Sequence, residues 1–248
     1  MKKAVQIFAH SVRLVAGNLG AALRVSALPF LVSIAAVWIA ARAVPNIVVG
    51  PAQDATGTNF VTLVLIVPVF VASLLVIAVS WHRFVLQNEP ARLIPQLRVR
   101  PSLDYLGRGL RIAFVAILIA FPAGFVVASF AYEGMSPTMV GLMLLILNAV
   151  TGYVSLRLSV SLPAMAIGAP MSLGRGWRAL RDHSATLIVL SVGLALLQYS
   201  FERVAAQLHA TMISATVTEI VVNWVTVMVG LSVLTTLYGH YIEGRSLR

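Results

Sequence analysis

The sequence contains no cysteine and few charged residues. Of its 248 residues, only 10% are charged, whereas 59% are hydrophobic. The absence of cysteine excludes disulfide bonds, thiolate metal sites and cysteine nucleophiles. Soluble domains carry about 25% charged residues, and a water-soluble core stops growing as the chain lengthens. One soluble domain therefore cannot hide this much apolar sequence, and we expect most of it to face lipid.

Acidic residues are scarcer than basic ones. Eight Asp and Glu stand against eighteen Lys and Arg, which gives a formal net charge of +10. Nucleic-acid binding would require a basic face on a soluble domain, whereas here the basic residues lie between apolar stretches. Membrane orientation explains the charge better, and no nucleic-acid partner is predicted.

Long apolar stretches recur along the chain. A helix that crosses the bilayer core needs roughly 20 largely apolar residues, and six stretches meet this requirement. They are Val25–Val49, Phe60–Leu86, Gly109–Tyr132, Thr138–Leu162, Ser184–Phe201 and Ile220–Ile242. The prediction is an all-α polytopic transmembrane bundle of about six spans, forming a single domain over residues 1–248.

The basic residues predict the orientation of these spans, because Lys and Arg are enriched in cytoplasmic segments. With both termini inside, sixteen of the eighteen basic residues lie on the inner side, and only Arg42 and Arg203 lie outside. His10 and Arg13 interrupt the first apolar run too early for a cleavable signal peptide. We expect a multi-pass protein of the bacterial inner membrane with cytoplasmic N- and C-termini.

The inner segments have structure of their own. Residues 3–16 have the spacing of an amphipathic interfacial helix, and a second such helix is predicted over residues 172–182, capped by Ser172. The segment Gln87–Leu106 contains three prolines and is predicted to be an irregular loop. In the first helix the polar strip is Lys3, Gln6, His10 and Arg13, and the apolar face is Val5, Phe8, Val12 and Val15.

The chain could contain three copies of one structural unit. Each unit would be an interfacial segment, the lead-in, followed by a helical hairpin. Asn18, Asp104 and Asp182 each precede an odd-numbered span, and the lead-ins start about 75–85 residues apart. The alternative is that any hairpin looks alike once positive-inside and capping rules apply. The sequence leaves both interpretations open.

One stretch resembles a known family. Arg157 precedes a Leu-Pro-Ala turn at residues 162–164, and the segment PMSLGRGWRALRD follows at residues 170–182. This arrangement resembles the membrane domain found beside some bacterial glycerophosphodiester phosphodiesterases. The resemblance implies a fold and a location, and it transfers no catalytic residue. No soluble stretch here is long enough to hold the phosphodiesterase barrel.

Six polar residues near the inner ends of the spans are candidates for ligand binding. They could converge on a cytoplasmic pocket, where histidines with a carboxylate could bind a metal or Arg and His could hold a lipid phosphate. The ordinary alternative is that they anchor the helices at the interface. The candidates are His82, Arg83, Glu89, Arg157, Asp182 and His240.

Arg157 is the most informative of the six. It lies in a run from Thr138 to Gly168 that is longer than one span needs. A guanidinium within the membrane indicates a functional role or an ion pair, with Glu89 or Asp182 as plausible partners. If the span ends near Ser155, however, Arg157 only reaches outward to the headgroups.

Other polar and small residues within the spans are expected to serve packing. Asn148, Gln198 and Asn223 are predicted to join helices through hydrogen bonds. Ala116, Ala120, Gly124 and Ala128 form a small-residue stripe that predicts a close helix contact.

Three functional hypotheses remain. The favoured one is a non-enzymatic protein that binds or helps to move a lipid or small amphiphile, or acts as the membrane partner of a larger complex. The second is a membrane-embedded enzyme acting on a lipid headgroup, and the third, a channel, is disfavoured by the scarcity of polar residues within the spans. No nucleotide, phosphate-loop or hydrolase motif is present, so no catalytic residue, metal or cofactor is predicted. The expected partners are anionic lipids, with a protein partner or a homo-oligomer left open.

Overall fold

The structure is a computed structural model that describes residues 2–43, 64, 66–94, 96, 98–208 and 212–247. Throughout these residues the regular secondary structure is helical. The helices are α1 (Lys2–Gly17), α2 (Leu19–Ala43), α3 (Val67–Gln87), α4 (Val99–Tyr132), α5 (Pro137–Ser159), α6 (Ser161–Ala166), α7 (Leu173–Ala179), α8 (Ser184–Leu208) and α9 (Met212–Tyr241), with a 3-10 turn at Arg181–His183.

Six segments of these helices are long and apolar enough to cross a membrane. They lie in α2, α3, α4, α5 with α6, α8 and α9, so the predicted all-α bundle of about six spans is confirmed. Residues 44–49 of the first predicted span, and residues 60–63 and 65 of the second, lie outside the described residues. We call the helix ends that the basic residues predict to be cytoplasmic the inner ends.

Local sequence explains the tight connection between α4 and α5. Gly134 adopts a φ of +85°, a left-handed conformation that glycine takes without strain. Ser136 then caps α5 by accepting a hydrogen bond from the backbone N–H of Met139, and Pro137 occupies the first turn, where its missing N–H costs nothing. The two spans are therefore joined as an antiparallel pair.

The helix α4 begins ten residues earlier than the predicted third span. After α3, Asn88 takes a left-handed conformation and its N–H bonds the carbonyl of Arg83. The irregular segment ends at Arg98, and α4 starts at Val99 with Pro101 in its first turn. Proline is tolerated there because the first N–H groups of a helix have no intrahelical acceptor. The predicted loop Gln87–Leu106 is therefore helical over its last eight residues.

The helix α1 packs against α9 through a face that only partly coincides with the predicted apolar one, since Val15 is buried and Phe8 packs against the core. Ala4, Ile7, Ser11 and Val15 are buried, and Ser11 Oγ bonds Thr236 Oγ1 at 3.1 Å. Val5, in contrast, is 64% exposed. The pattern of apolar residues could not separate these faces, because a helix at a membrane surface presents apolar side chains to lipid as well as to protein.

The best-packed region lies at the inner ends of the helices. One buried cluster joins α1, α3, α5, α8 and α9 through Ile7, Leu86, Leu156, Leu187 and Leu237. In contrast, much of the surface of α4 and α5 is exposed, including large apolar side chains. The helices are thus held together tightly at one end and more loosely along the rest of their length.

The short helix α7 rests on the junction of α5 and α6. Its N-terminus is capped by Ser172, which accepts a hydrogen bond from the N–H of Arg175 at 3.2 Å. Gly176 is buried, and a Cβ added there would lie 3.1 Å from Val160 Cγ1. Because that distance is shorter than normal contact, the close approach depends on glycine.

This close approach generates a prediction. We expect Gly176→Val to lower the thermal unfolding midpoint in detergent, with a destabilisation of about 1–3 kcal/mol from overpacking. Gly174→Val is the matched control, because it lies in the same helix and a Cβ there meets nothing within 4 Å. Equal midpoints for the two variants would contradict the packing described for α7.

Candidate functional site

A large cavity lies between α3, α4, α5, α8 and α9. Its volume is about 1520 Å³, and aliphatic side chains form most of its wall. Along α4 it reaches from Tyr105 to Ala131, a rise of about 39 Å at 1.5 Å per residue. That distance exceeds the roughly 30 Å thickness of the bilayer core, so the cavity extends over most of the membrane-spanning height.

Glycines leave much of this space open. Gly109, Gly141 and Gly230 line the cavity on three different helices, and a Cβ added at any of them would meet nothing within 4 Å. Gly152 differs, because its Cβ would lie 3.4 Å from that of Ser191. Gly152 therefore lets α5 and α8 approach each other at one side of the cavity. At the other three glycines, the lack of a side chain leaves open space between the helices.

A few polar groups interrupt the apolar wall. Asn148 donates from Nδ2 to the carbonyl of Leu144 in its own helix, and the hydroxyl of Ser191 donates to Ile188. Thr226 Oγ1 is buried with no hydrogen-bond partner among the described residues. The hydroxyl of Tyr199 lies 3.1 Å from Arg203 Nε near the outer end. The cavity therefore offers isolated polar points within an apolar surface.

His82 lies in a hydrogen-bonded chain that ends at the inner part of this cavity. Thr235 donates its hydroxyl hydrogen to the carbonyl of Leu231 at 2.7 Å, so its oxygen must accept from His82 Nδ1 at 2.8 Å. His82 Nε2 is then left to accept from the Tyr105 hydroxyl at 3.3 Å. His82 has no exposed surface, and its two nitrogens hold α3, α4 and α9 together.

Arg83 and Glu89 form an ion pair beside His82. Arg83 bonds both carboxylate oxygens of Glu89 and also donates to the carbonyl of Ala166 at 2.8 Å. Arg98 bonds the same carboxylate at 2.9 Å. The hydrogen bond from Arg83 holds the pKa of the Glu89 carboxyl below its usual range; the positive charges of Arg83, Arg98 and Arg92 act in the same direction, and burial opposes them.

Arg157 is buried at the inner end of α5, and no described carboxylate forms a salt bridge with it. It is 7% exposed, and its Nε donates to the carbonyl of Trp177 at 3.2 Å. Its Nη1 bonds the Tyr153 hydroxyl at 2.6 Å and Ser184 Oγ at 3.5 Å. The indole of Trp177 covers the guanidinium, with 4.1 Å between the guanidinium carbon and the ring centroid. Neither Glu89 nor Asp182, the partners suggested by the sequence, forms a salt bridge with it.

His240 and Asp182 belong to other surroundings. His240 Nδ1 bonds the carbonyl of Arg245 at 2.9 Å, and Arg245 pairs with Glu243. Arg245 also donates to the carbonyl of Leu86 at 2.7 Å. Asp182 is exposed.

The six candidate residues therefore form separate groups and not one cytoplasmic pocket. Within the described ranges, no three His, Asp or Glu side chains lie close enough together to hold a metal ion. His82 bonds hydroxyls, His240 bonds a carbonyl, and Glu89 bonds arginines. None of these pairs a histidine with a carboxylate, which is one arrangement that serves general acid–base chemistry.

The cavity was not predicted from the sequence. Asn148 and Gln198 line it, although the sequence suggested only a role in joining helices. Gly109, Gly141 and Gly230 could also have indicated the cavity, since glycine on an apolar helix face leaves space where a side chain would pack. The predicted stripe of α4 does meet α5 at one point, because a Cβ on Gly124 would lie 4.0 Å from Leu147 Cδ2.

The ion pair of Glu89 predicts a pH dependence. A carboxyl whose pKa is lowered in the folded state stabilises the fold above its ordinary pKa of 4.5, and this contribution is lost as the pH falls through the lowered value. Its size is at most about 1 kcal/mol, because the Glu89 side chain is 34% exposed and solvent screens such pairs.

We therefore expect wild type to unfold at a higher temperature than Glu89→Gln at neutral pH, and the difference to shrink as the pH falls below 4.5. Thermal unfolding in detergent over a pH series measures this difference. Glu133→Gln, at an exposed position outside any described salt bridge, should match wild type at every pH. A difference that grows on acidification would contradict the assignment.

Comparison of the chain with protein-family models, with curated proteins and with solved structures finds no match to any of them. The resemblance to the membrane domain of glycerophosphodiester phosphodiesterases stays a prediction.

Proposed function

We propose that this membrane protein is a non-enzymatic protein of the bacterial inner membrane that binds a lipid or another long apolar molecule in the cavity between its spans and helps to move it. The observation that supports the proposal is the cavity itself, an apolar space of about 1520 Å³ within the membrane-spanning helices. Typical small-molecule pockets have volumes of about 300–1,000 Å³. The larger space suits a molecule with long hydrocarbon chains.

The chemistry of the wall is consistent with such a molecule. Lipid tails are as apolar as the aliphatic wall, so an acyl chain gains little by leaving the bilayer for the cavity. Selection must then come from shape and from the isolated polar groups, among them Asn148, Ser191 and Tyr199. An amphiphile with one polar end would satisfy both conditions.

The length of the cavity supports a role in movement. Its lining runs from Tyr105 near the inner end of α4 to Met135 beyond its outer end. An apolar chain can follow this wall between the two leaflets without contacting water. The lack of a histidine–carboxylate pair among the candidate residues favours this function over chemistry on a headgroup.

Filling the cavity tests the proposal. Gly230→Phe places a ring in the open space on α9, and we expect the bound lipid or amphiphile detected by native mass spectrometry to fall at least about fivefold. A fivefold loss corresponds to about 1 kcal/mol, which is the lower end of the 1–3 kcal/mol that overpacking costs.

Gly193→Phe is the matched control. Gly193 is exposed on α8, has nothing within 4 Å of an added Cβ and does not line the cavity, so this variant should retain the molecule as wild type does. Equal retention by Gly230→Phe and wild type, or equal loss from both variants, would refute binding in the cavity.

A further inference from the structure

The guanidinium of Arg157 is a buried positive charge whose described hydrogen-bond partners are all neutral. Its acceptors are the carbonyl of Trp177 and the hydroxyls of Tyr153 and Ser184. A buried ion costs several kcal/mol unless a counter-charge or good hydrogen bonds compensate it. In the described structure Arg83, Arg98 and Arg245 each pair with a glutamate, whereas Arg157 does not. Within the described residues, the charge of Arg157 is compensated by hydrogen bonds and not by a carboxylate.

One edge of the guanidinium is unused. The hydrogen bonds of Arg157 involve Nε and Nη1, and no described residue accepts one from Nη2. Among the described side chains, the only fully buried polar atoms without a partner are Thr151 Oγ1 and Thr226 Oγ1. Nη2 is not one of these enclosed atoms, and 7% of the Arg157 surface is exposed, so Nη2 is the donor that an acceptor from outside the chain would use.

The surface around Arg157 is basic. Arg175 and Arg178 on α7, and Arg181 directly after it, are exposed, and none of the three forms a salt bridge within the described ranges. Asp182 is the acidic residue beside them, and it is exposed as well. Three exposed cations thus lie in the segment that covers Arg157 through Trp177, and Asp182 is the acidic residue of that segment. This charge suits an anionic group.

We propose that Arg157 and the arginines of α7 bind the phosphate of an anionic lipid headgroup in the inner leaflet. A guanidinium presents its N–H groups in a planar fork that fits phosphate oxygens. The Trp177 ring fixes the plane of Arg157 from one side, and Tyr153 and Ser184 fix it at Nη1. Arg175 and Arg178 supply further charge at the level of the headgroups.

This site is separate from the cavity. Ser155, Leu156 and Ser159 line the cavity on α5, whereas Arg157 does not. At about 100° per residue, Arg157 projects about 160° away from both serines and about 100° away from Leu156. The headgroup site therefore does not depend on the proposed function of the cavity, and the two can be tested independently.

The test uses the full chain in nanodiscs that contain phosphatidylglycerol in phosphatidylcholine, with bound lipids counted by native mass spectrometry. We expect Arg175→Gln with Arg178→Gln to lower phosphatidylglycerol retention by about thirtyfold, since each basic residue near an anionic surface contributes about 1 kcal/mol. Arg157→Lys keeps the charge but loses the fork, and it should also lower retention. These two results would support the site.

Arg92→Gln with Arg100→Gln is the matched control, because it removes two exposed arginines from another part of the inner surface. If it lowers retention as much as the α7 pair, the lipid is held by diffuse surface charge and the site is refuted. The α7 pair should lower phosphatidylglycerol retention and leave retention of the neutral phosphatidylcholine as in wild type, which separates loss of this site from loss of the cavity.

A last arm distinguishes a lipid from free phosphate. Excess inorganic phosphate should fail to displace phosphatidylglycerol from wild type, because the bilayer holds the headgroup beside the site. Displacement of the lipid, together with a raised unfolding temperature in inorganic phosphate alone, would identify free phosphate as the ligand and overturn the lipid assignment.

Discussion

The carbonyl groups at the ends of helices impose the main constraint on this structure. The last four carbonyls of a helix lack intrahelical donors, and near lipid an unsatisfied backbone group is expensive. Three arginines donate to such carbonyls on other helices: Arg83 to Ala166 at the end of α6, Arg157 to Trp177 near the end of α7, and Arg245 to Leu86 near the end of α3. The inner ends of the spans are joined as one unit because these bonds link elements that are distant in sequence.

This bonding at the inner ends accounts for the contrast within the bundle. Buried clusters and hydrogen-bonded side chains such as Trp81 with Ser232 hold α3 and α9 together, whereas α4 and α5 expose most of their apolar surface. Helices fixed at one end can stand apart along the rest of their length without losing their arrangement. The glycines at 109, 141 and 230 then leave an opening between the helices.

The sequence predicted the number and approximate position of the spans because apolar length is a direct requirement of the bilayer. It could not predict which apolar face meets protein: Val5 and Ile7 are equally apolar, yet one is exposed and the other buried. The predicted start of the third span was wrong, because Pro101 was interpreted as part of an irregular loop. Proline disrupts only the interior of a helix, and Pro101 lies in the first turn of α4. The cavity was missed because an empty space is defined by side chains from five helices, and no single segment indicates it.

Arg83 and Arg245 each have an acidic residue close to them in the sequence, and Arg157 does not. Glu89 follows Arg83 in the loop directly after α3, and Glu243 precedes Arg245 at the end of α9, so each arginine finds its counter-ion within its own segment. The next acidic residue after Arg157 is Asp182, which lies beyond α6 and α7 and is exposed. A positive charge with a local carboxylate is already compensated and can serve to cap a helix. Arg157 also donates to a carbonyl near a helix end, but it has no local carboxylate. We infer from this difference that Arg157 binds an anion from outside the chain, whereas Arg83 and Arg245 have a structural role.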